Sequence, residues 1–163
     1  MNKTFKAIVI AVLLVVTVLS FTACAKNNVI AKPAMEEGAS AFEVTGTCTV
    51  EKTGDRTYKV YCSTNLMNGT VFSISVDTFA GENIDTQKFF KNSDGFYAEF
   101  EIPEDVKGPL VASFVVVPSK NGKQPLEVKQ AYGSQLQNLT GEYVIWNTDG
   151  NCVVILSEPF EIR

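Results

Sequence analysis

Cys48-Thr49-Val50-Glu51-Lys52-Thr53-Gly54-Asp55-Arg56-Thr57-Tyr58-Lys59-Val60-Tyr61-Cys62 is the stretch that decides the fold. Its two arms alternate. Cys48 and Val50 stand against Thr49 and Glu51; Tyr58, Val60 and Cys62 stand against Lys59 and Tyr61. Successive side chains of a strand point to opposite faces, so each arm reads as a strand with one buried and one wet face. Thr53-Gly54-Asp55 supplies the turn between them. A register that sets Val50 opposite Val60 also sets Cys48 opposite Cys62, both on the apolar face.

The same period continues on either side. Phe42 and Val44 share the parity of Cys48, with Glu43, Thr45 and Thr47 between them. Asn68-Gly69 marks a turn, after which Phe72, Ile74 and Val76 alternate with Ser73, Ser75 and Asp77. Asp94-Gly95 is a hairpin signal before Phe96, Ala98, Phe100 and Ile102, which alternate with Tyr97, Glu99 and Glu101. Pro103 to Pro109 reads as a loop. Leu110 to Val117 is apolar on both parities, as a central strand buried on both faces would be. Asp149-Gly150 joins Tyr143–Trp146 to Cys152–Leu156. One segment breaks the pattern: Pro125 opens a stretch in which Val128, Tyr132 and Leu136 recur every four residues, and Gly133 is a stop signal. The expectation is an all-β domain of seven or eight antiparallel strands with one short helical crossover. A two-layer β-sandwich of immunoglobulin or fibronectin III type fits this pattern, with a closed barrel as the alternative.

The first 41 residues read differently. Lys3 and Lys6 give a positive start, Ala7 to Phe21 carries no charge, and Thr22-Ala23-Cys24 is followed by polar Lys26-Asn27-Asn28. This is the three-part plan of a secretory signal peptide, with a signal helix over the apolar run. Thr22-Ala23-Cys24 resembles the bacterial lipobox, although Phe21 stands where a Leu is usual. The resemblance implies cleavage before Cys24 and a diacylglycerol with palmitate-type chains on its sulfur. Two acyl chains anchor stably where one does not. Two other outcomes stay open. Ala23-Cys24-Ala25 also suits an ordinary signal peptidase that would release a soluble protein. The apolar run is also nearly the ~20 residues that span a bilayer uncleaved. In all three, Lys3 and Lys6 put the remainder outside the cytoplasm. The expected organisation is residues 1–23 as signal peptide, 24–41 as lipidated Cys24 and flexible tether, and 42–163 as the folded domain. A 17-residue tether reaches roughly 20–25 Å, enough to hold a small domain clear of the headgroups.

Asn68-Gly69-Thr70, Gln124-Pro125 to Val128, Gly133, and Asn138-Leu139-Thr140-Gly141 stand at strand starts, turns and helix ends. Together they resemble motifs of small exported β-sandwich domains of Gram-positive lipoproteins. All are turn and cap chemistry. The resemblance covers most of Phe42 to Arg163 and implies a fold and an envelope location; no activity or functional residue carries over with it.

Charge narrows the partners. The formal net charge is −4; removing Met1 to Ala23 takes away Lys3 and Lys6 and no acid, so the mature part stands at −6. Nucleic-acid binding needs clustered Lys and Arg and is not expected. The partners expected are the bilayer, through acylated Cys24, and an envelope protein or wall polymer.

Beyond Cys24, three cysteines remain: Cys48, Cys62 and Cys152. Cys48 and Cys62 form the candidate disulfide, since directly opposed residues of antiparallel strands lie within bridging range and export permits oxidation. A bridge from one of them to Cys152 and three buried thiols are the alternatives. Cys62 and Met67 are soft ligands five apart, but the chain has no His to complete a copper site. No metal or cofactor is expected. The absence of His also excludes Ser-His and Cys-His catalysis within this chain. Glu99, Glu101, Glu104 and Asp105 could serve a glycosidase only if they flanked a cleft, and they read as a solvated face. Asp149 and Asn151 lack the pattern of a calcium loop. Lys120-Asn121-Gly122-Lys123 reads as a loop tip, without the spacing of a phosphate loop. Six aromatics, Tyr61, Phe79, Phe89, Tyr97, Tyr143 and Trp146, do not all fit the inward parity and are candidates for a sugar or peptide platform. The expected function is therefore a non-enzymatic binding or accessory module held at the extracytoplasmic face of the cell membrane. A wall-glycan enzyme and a small-ligand carrier are the alternatives.

Overall fold

A computed structural model of the chain describes residues 34–35, 37–93, 95–118, 124–147 and 150–162. The expected signal segment, Cys24, most of the expected tether, Asp94, Asp149 and the expected loop tip at 120–123 lie outside the described residues.

The described chain is mostly strand, with one helix. Its elements are β1 (Phe42–Glu43), β2 (Gly46–Lys52), β3 (Thr57–Thr64), β4 (Val71–Thr78), β5 (Asn83–Phe90), β6 (Gly95–Glu101), β7 (Pro109–Val116), α1 (Leu126–Tyr132), β8 (Leu139–Thr140), β9 (Val144–Asn147), β10 (Gly150–Leu156) and β11 (Phe160–Glu161). They form a three-stranded antiparallel sheet in the order β2-β3-β6 and a larger antiparallel sheet in the order β5-β4-β7-β10-β9. β11 also pairs with β7, and a short parallel pair joins β1 to β8.

The alternation read from the sequence sets which faces meet. Cys48, Tyr58, Val60, Cys62, Ala98 and Phe100 point inward from the smaller sheet; Phe72, Ile74, Val76, Phe114, Val116, Val153 and Ile155 do so from the larger, and all join one core. Aromatic rings cross between the sheets. Phe96 of β6 lies 4.2 Å from Phe72 of β4 and 5.5 Å from Phe114 of β7, centroid to centroid. β7 lies between β4 and β10, the central position its two-sided hydrophobicity predicts. β2 and β3 take the register expected of them, with Val50 opposite Val60 and Cys48 opposite Cys62.

The expected hairpin needs correction. Asp94-Gly95 is not the turn of a hairpin. β5 pairs with β4 and β6 with β3, so the link between β5 and β6 carries the chain from one sheet to the other. The dipeptide signal is local, and pairing is decided by which faces have a core to cover. The strand β5 itself was not legible. Its edge position leaves Asn83, Asp85, Thr86, Lys88 and Phe90 exposed, which removes the apolar alternation.

The turn motifs have defined tasks. Gly69 takes φ +89°, a left-handed conformation that favours glycine, and its N–H donates to the Lys91 carbonyl at 2.7 Å. Thr70 Oγ1 donates to the Met67 carbonyl at 2.8 Å, and Lys91 Nζ donates to Asn68 Oδ1 at 3.3 Å. Gln124 is buried because its amide extends the sheet: Oε1 accepts from the Val71 N–H at 2.9 Å. Its Nε2 donates to the Val71 and Val117 carbonyls at 2.7 and 3.0 Å. Pro125 precedes the first turn of α1, Val128 and Tyr132 are its buried residues, and Gly133 follows it as expected. Tyr132 then reaches across, its hydroxyl accepting from the Met67 N–H at 2.8 Å and its ring 5.1 Å from Phe42. Asn138 to Thr140 receive the start of the domain, the Phe42 and Val44 N–H groups donating to the Asn138 and Thr140 carbonyls.

The loop after β6 hangs on one side chain. Arg56 donates through Nε to the Ile102 carbonyl at 2.7 Å and through Nη2 to the carbonyls of Val106 at 2.9 Å and Pro103. Arg56→Ala leaves three carbonyls of this part-buried loop without their charged donor. A loss of about 2 kcal/mol is expected. It is read as a lower urea midpoint with an unchanged m-value.

Candidate binding face on the three-stranded sheet

The outward residues of β2, β3 and β6 line up in rows because the three strands are paired in register. Thr47, Ser63 and Gly95 form one row, Thr49, Tyr61 and Tyr97 the next, and Glu51, Lys59 and Glu99 the third. Tyr61 and Tyr97 are among the few large hydrophobic side chains left exposed, at 39% and 56%. Their centroids are 5.9 Å apart with a tilt of 46°. The reason for that proximity lies in the backbone. The carbonyls of Gly95 and Glu99 accept from Ser93 Oγ and Gln87 Nε2, so the odd residues of β6 turn their polar backbone groups away from β3. Tyr61 and Tyr97 therefore face each other at a non-hydrogen-bonded site, where opposed side chains come closest.

Polar groups flank the rings on both sides. Lys59 Nζ lies 4.9 Å from the Tyr97 centroid and 3.7 Å from Glu99 Oε2, combining a cation–π contact with an exposed ion pair. The Glu51 carboxylate beside it holds the Tyr61 phenol above its ordinary pKa, by favouring the protonated hydroxyl as a hydrogen-bond donor, with desolvation and the Glu51 charge adding to the effect. On the other flank Thr47 Oγ1 and Ser63 Oγ are 2.8 Å apart. That row ends at Gly95, where a Cβ would meet nothing within 4 Å. The missing side chain opens a shallow trough of about 240 Å³, lined by Thr47, Thr49, Tyr61, Ser63, Gly95 and Tyr97.

Of the six aromatics named from the sequence, these two alone form a pair on an exposed face. Phe89 stacks on Phe72 with centroids 5.4 Å apart, Tyr143 packs against the core, and Phe79 and Trp146 are half-buried. Glu99 and Glu101 share the outer face with the tyrosines, but Glu99 engages Lys59, and Glu104 and Asp105 lie exposed in the following turn. They line no cleft. Asn151 cannot serve calcium from the outside: it is fully buried, and its amide donates to the Leu136 and Leu139 carbonyls at 3.1 and 3.2 Å. Among the described residues no cluster of His, Cys, Asp and Glu converges to hold a metal ion.

The cysteines separate by face. Cys48 and Cys62 point into the core with their sulfurs 3.6 Å apart, and Cys48 Sγ also lies 3.9 Å from the Ala112 carbonyl. The neighbouring Cys48 thiol, and after it burial, push the Cys62 thiol well above its usual range. Cys152 is buried but outside that core, since Val153 and Ile155 are the residues of β10 that enter it. The register thus separates Cys152 from the other two, against the alternative bridge between sheets.

Among the described residues no helix is long and apolar enough to cross a membrane. No family model matches this chain, and no curated protein or solved structure matches it, so the face described above stands on its own geometry.

Proposed function

We propose that this chain is a non-enzymatic binding module held by acylated Cys24 at the extracytoplasmic face of a cell membrane, and that it grips a wall glycan with the outer face of β2, β3 and β6. The observation that carries the binding reading is the Tyr61–Tyr97 pair beside the gap at Gly95. Exposed rings offer apolar faces to the C–H face of a sugar, while Thr47, Thr49, Ser63 and Glu51 offer hydrogen-bond partners to its hydroxyls. Such a division between a few rings and a few placed polar groups suits a small polar ligand.

The anchor reading rests on Lys3, Lys6, the apolar run and Thr22-Ala23-Cys24. The proposed frame is a two-layer sandwich of immunoglobulin or fibronectin III type, and strand order supports it. β2-β3-β6 corresponds to A-B-E of that fold and β4-β7-β10 to C-F-G, with β5 in the added edge position beside C. β9 is an addition on the far edge.

The test uses full-length protein extracted from membranes and sedimented with purified cell wall. Tyr97→Ala and Gly95→Val are both expected to weaken retention at least about tenfold, a loss of roughly 1.4 kcal/mol. Neither residue belongs to the core, so the urea midpoint should stay within about 0.5 kcal/mol of wild type. Retention equal to wild type in both variants rejects the glycan site. Cys24→Ser should block acylation and processing, so that the unprocessed precursor builds up; a variant that stays equally membrane-bound with no build-up of precursor rejects the anchor.

A further inference from the structure

We infer that Cys48 and Cys62 are joined by a cross-strand disulfide in the exported protein, a pairing that does not involve Cys152. Register carries the case. Cys48 and Cys62 are Cα partners in the β2–β3 ladder. They also occupy a non-hydrogen-bonded position. The Asn65 N–H donates to the Thr45 carbonyl and the Thr53 N–H to the Thr57 carbonyl, so odd residues of β2 carry the ladder bonds and even ones do not. Opposed Cα atoms at such positions are about 4.5 Å apart, within the span a disulfide bridges. The sulfurs are already 3.6 Å apart on the same side of the sheet.

Pairing is also selective. Cys152 faces away from the core that holds the other two, so the odd number of cysteines in the domain resolves without ambiguity. The chemistry is a thiol–disulfide exchange with a disulfide-bearing oxidant of the extracytoplasmic space. One cysteine thiolate attacks the oxidant's disulfide, and the second displaces the mixed disulfide. The protein loses two protons and two electrons, and the oxidant leaves as two thiols. The core closes over both sulfurs, so the exchange belongs to the stage when the β2–β3 hairpin has formed and the larger sheet has not covered it. Only 14 positions separate the two cysteines, so that hairpin forms locally. The consequence reaches the binding face. Cys62 lies between Tyr61 and Ser63, and a bridge there fixes β3 to β2 directly behind the trough.

The inference rests on export, so the test has two arms. In the first, cells are quenched with N-ethylmaleimide and the full-length protein is digested with trypsin without reduction. Lys52, Arg56 and Lys59 lie between the two cysteines, so they fall on separate peptides. The expected result is one linked pair, 48 with 62, that does not include Cys152. In the second, full-length protein is refolded in a glutathione redox buffer, which supplies the oxidant in any compartment. The same linked pair is expected. Reductant should then lower the urea midpoint of the wild type and leave that of Cys62→Ala unchanged. Alkylation of both residues after refolding in glutathione, or linkage of either to Cys152, overturns the inference on its geometry. A bond in glutathione with reduced protein recovered from the cytoplasm overturns it through the export reading instead.

Discussion

Phe114→Ala is expected to destabilise the domain by about 3–5 kcal/mol, the range for removing a large buried ring. Phe114 is 1% exposed on the central strand β7. Its ring lies 4.9 Å from Phe72 on the neighbouring strand and 5.5 Å from Phe96 on the opposite sheet. Truncation therefore removes one of the ring contacts that join the two sheets and leaves a cavity between them. Urea unfolding followed by tryptophan fluorescence and circular dichroism should show a lower midpoint at an unchanged slope. A loss below 1 kcal/mol would mean that the two sheets do not share this core.

Asn151→Asp should cost a comparable amount at neutral pH and recover part of it in acid. Asn151 is fully buried at the start of β10, and its Nδ2 donates to the Leu136 and Leu139 carbonyls. These bonds tie the segment after α1 to the larger sheet. An ionised carboxylate would place charge against two carbonyl oxygens with no donor between them, a burial costing several kcal/mol unless the group takes up a proton. The folded state therefore raises the carboxyl pKa above its unfolded value of about 4. Folding then binds a proton in the window between the two values, so stability falls as pH rises from about 4 to the folded pKa and is flat above it. The wild-type amide has no such dependence. Comparing urea midpoints of the two proteins from pH 4 to 8 checks this; parallel curves would show that Asn151 is not held as described.

Much of the local structure was legible because it depends on neighbours in sequence. The alternation in 48–62 predicted both strands, the turn and the opposition of Cys48 to Cys62. Two-sided hydrophobicity in Leu110 to Val117 predicted a central strand, and fourfold spacing between Pro125 and Gly133 predicted α1. The candidate binding face was half legible. Tyr61 and Tyr97 stood out with four other aromatics as poor fits to the inward parity, yet no local signal distinguished a ring under α1 from one on an open face. Phe89, Tyr143 and Trp146 found cover, and the two tyrosines did not. Gly95 carried a turn signal and instead sits in a strand, where its lack of a side chain opens the trough.

By itself the sequence determined the period of each strand, hence which residues share a face, and the chemistry of the turns and of the helix ends. Those properties follow from steric rules acting over two to four residues. Tertiary structure alone decided that β5 and β6 belong to different sheets, that Cys152 is separated from the other cysteines, and that Tyr61 and Tyr97 meet across a non-hydrogen-bonded pair. These outcomes depend on which strands lie side by side, a choice made between segments far apart in the chain by the demand that both sheets bury one common core.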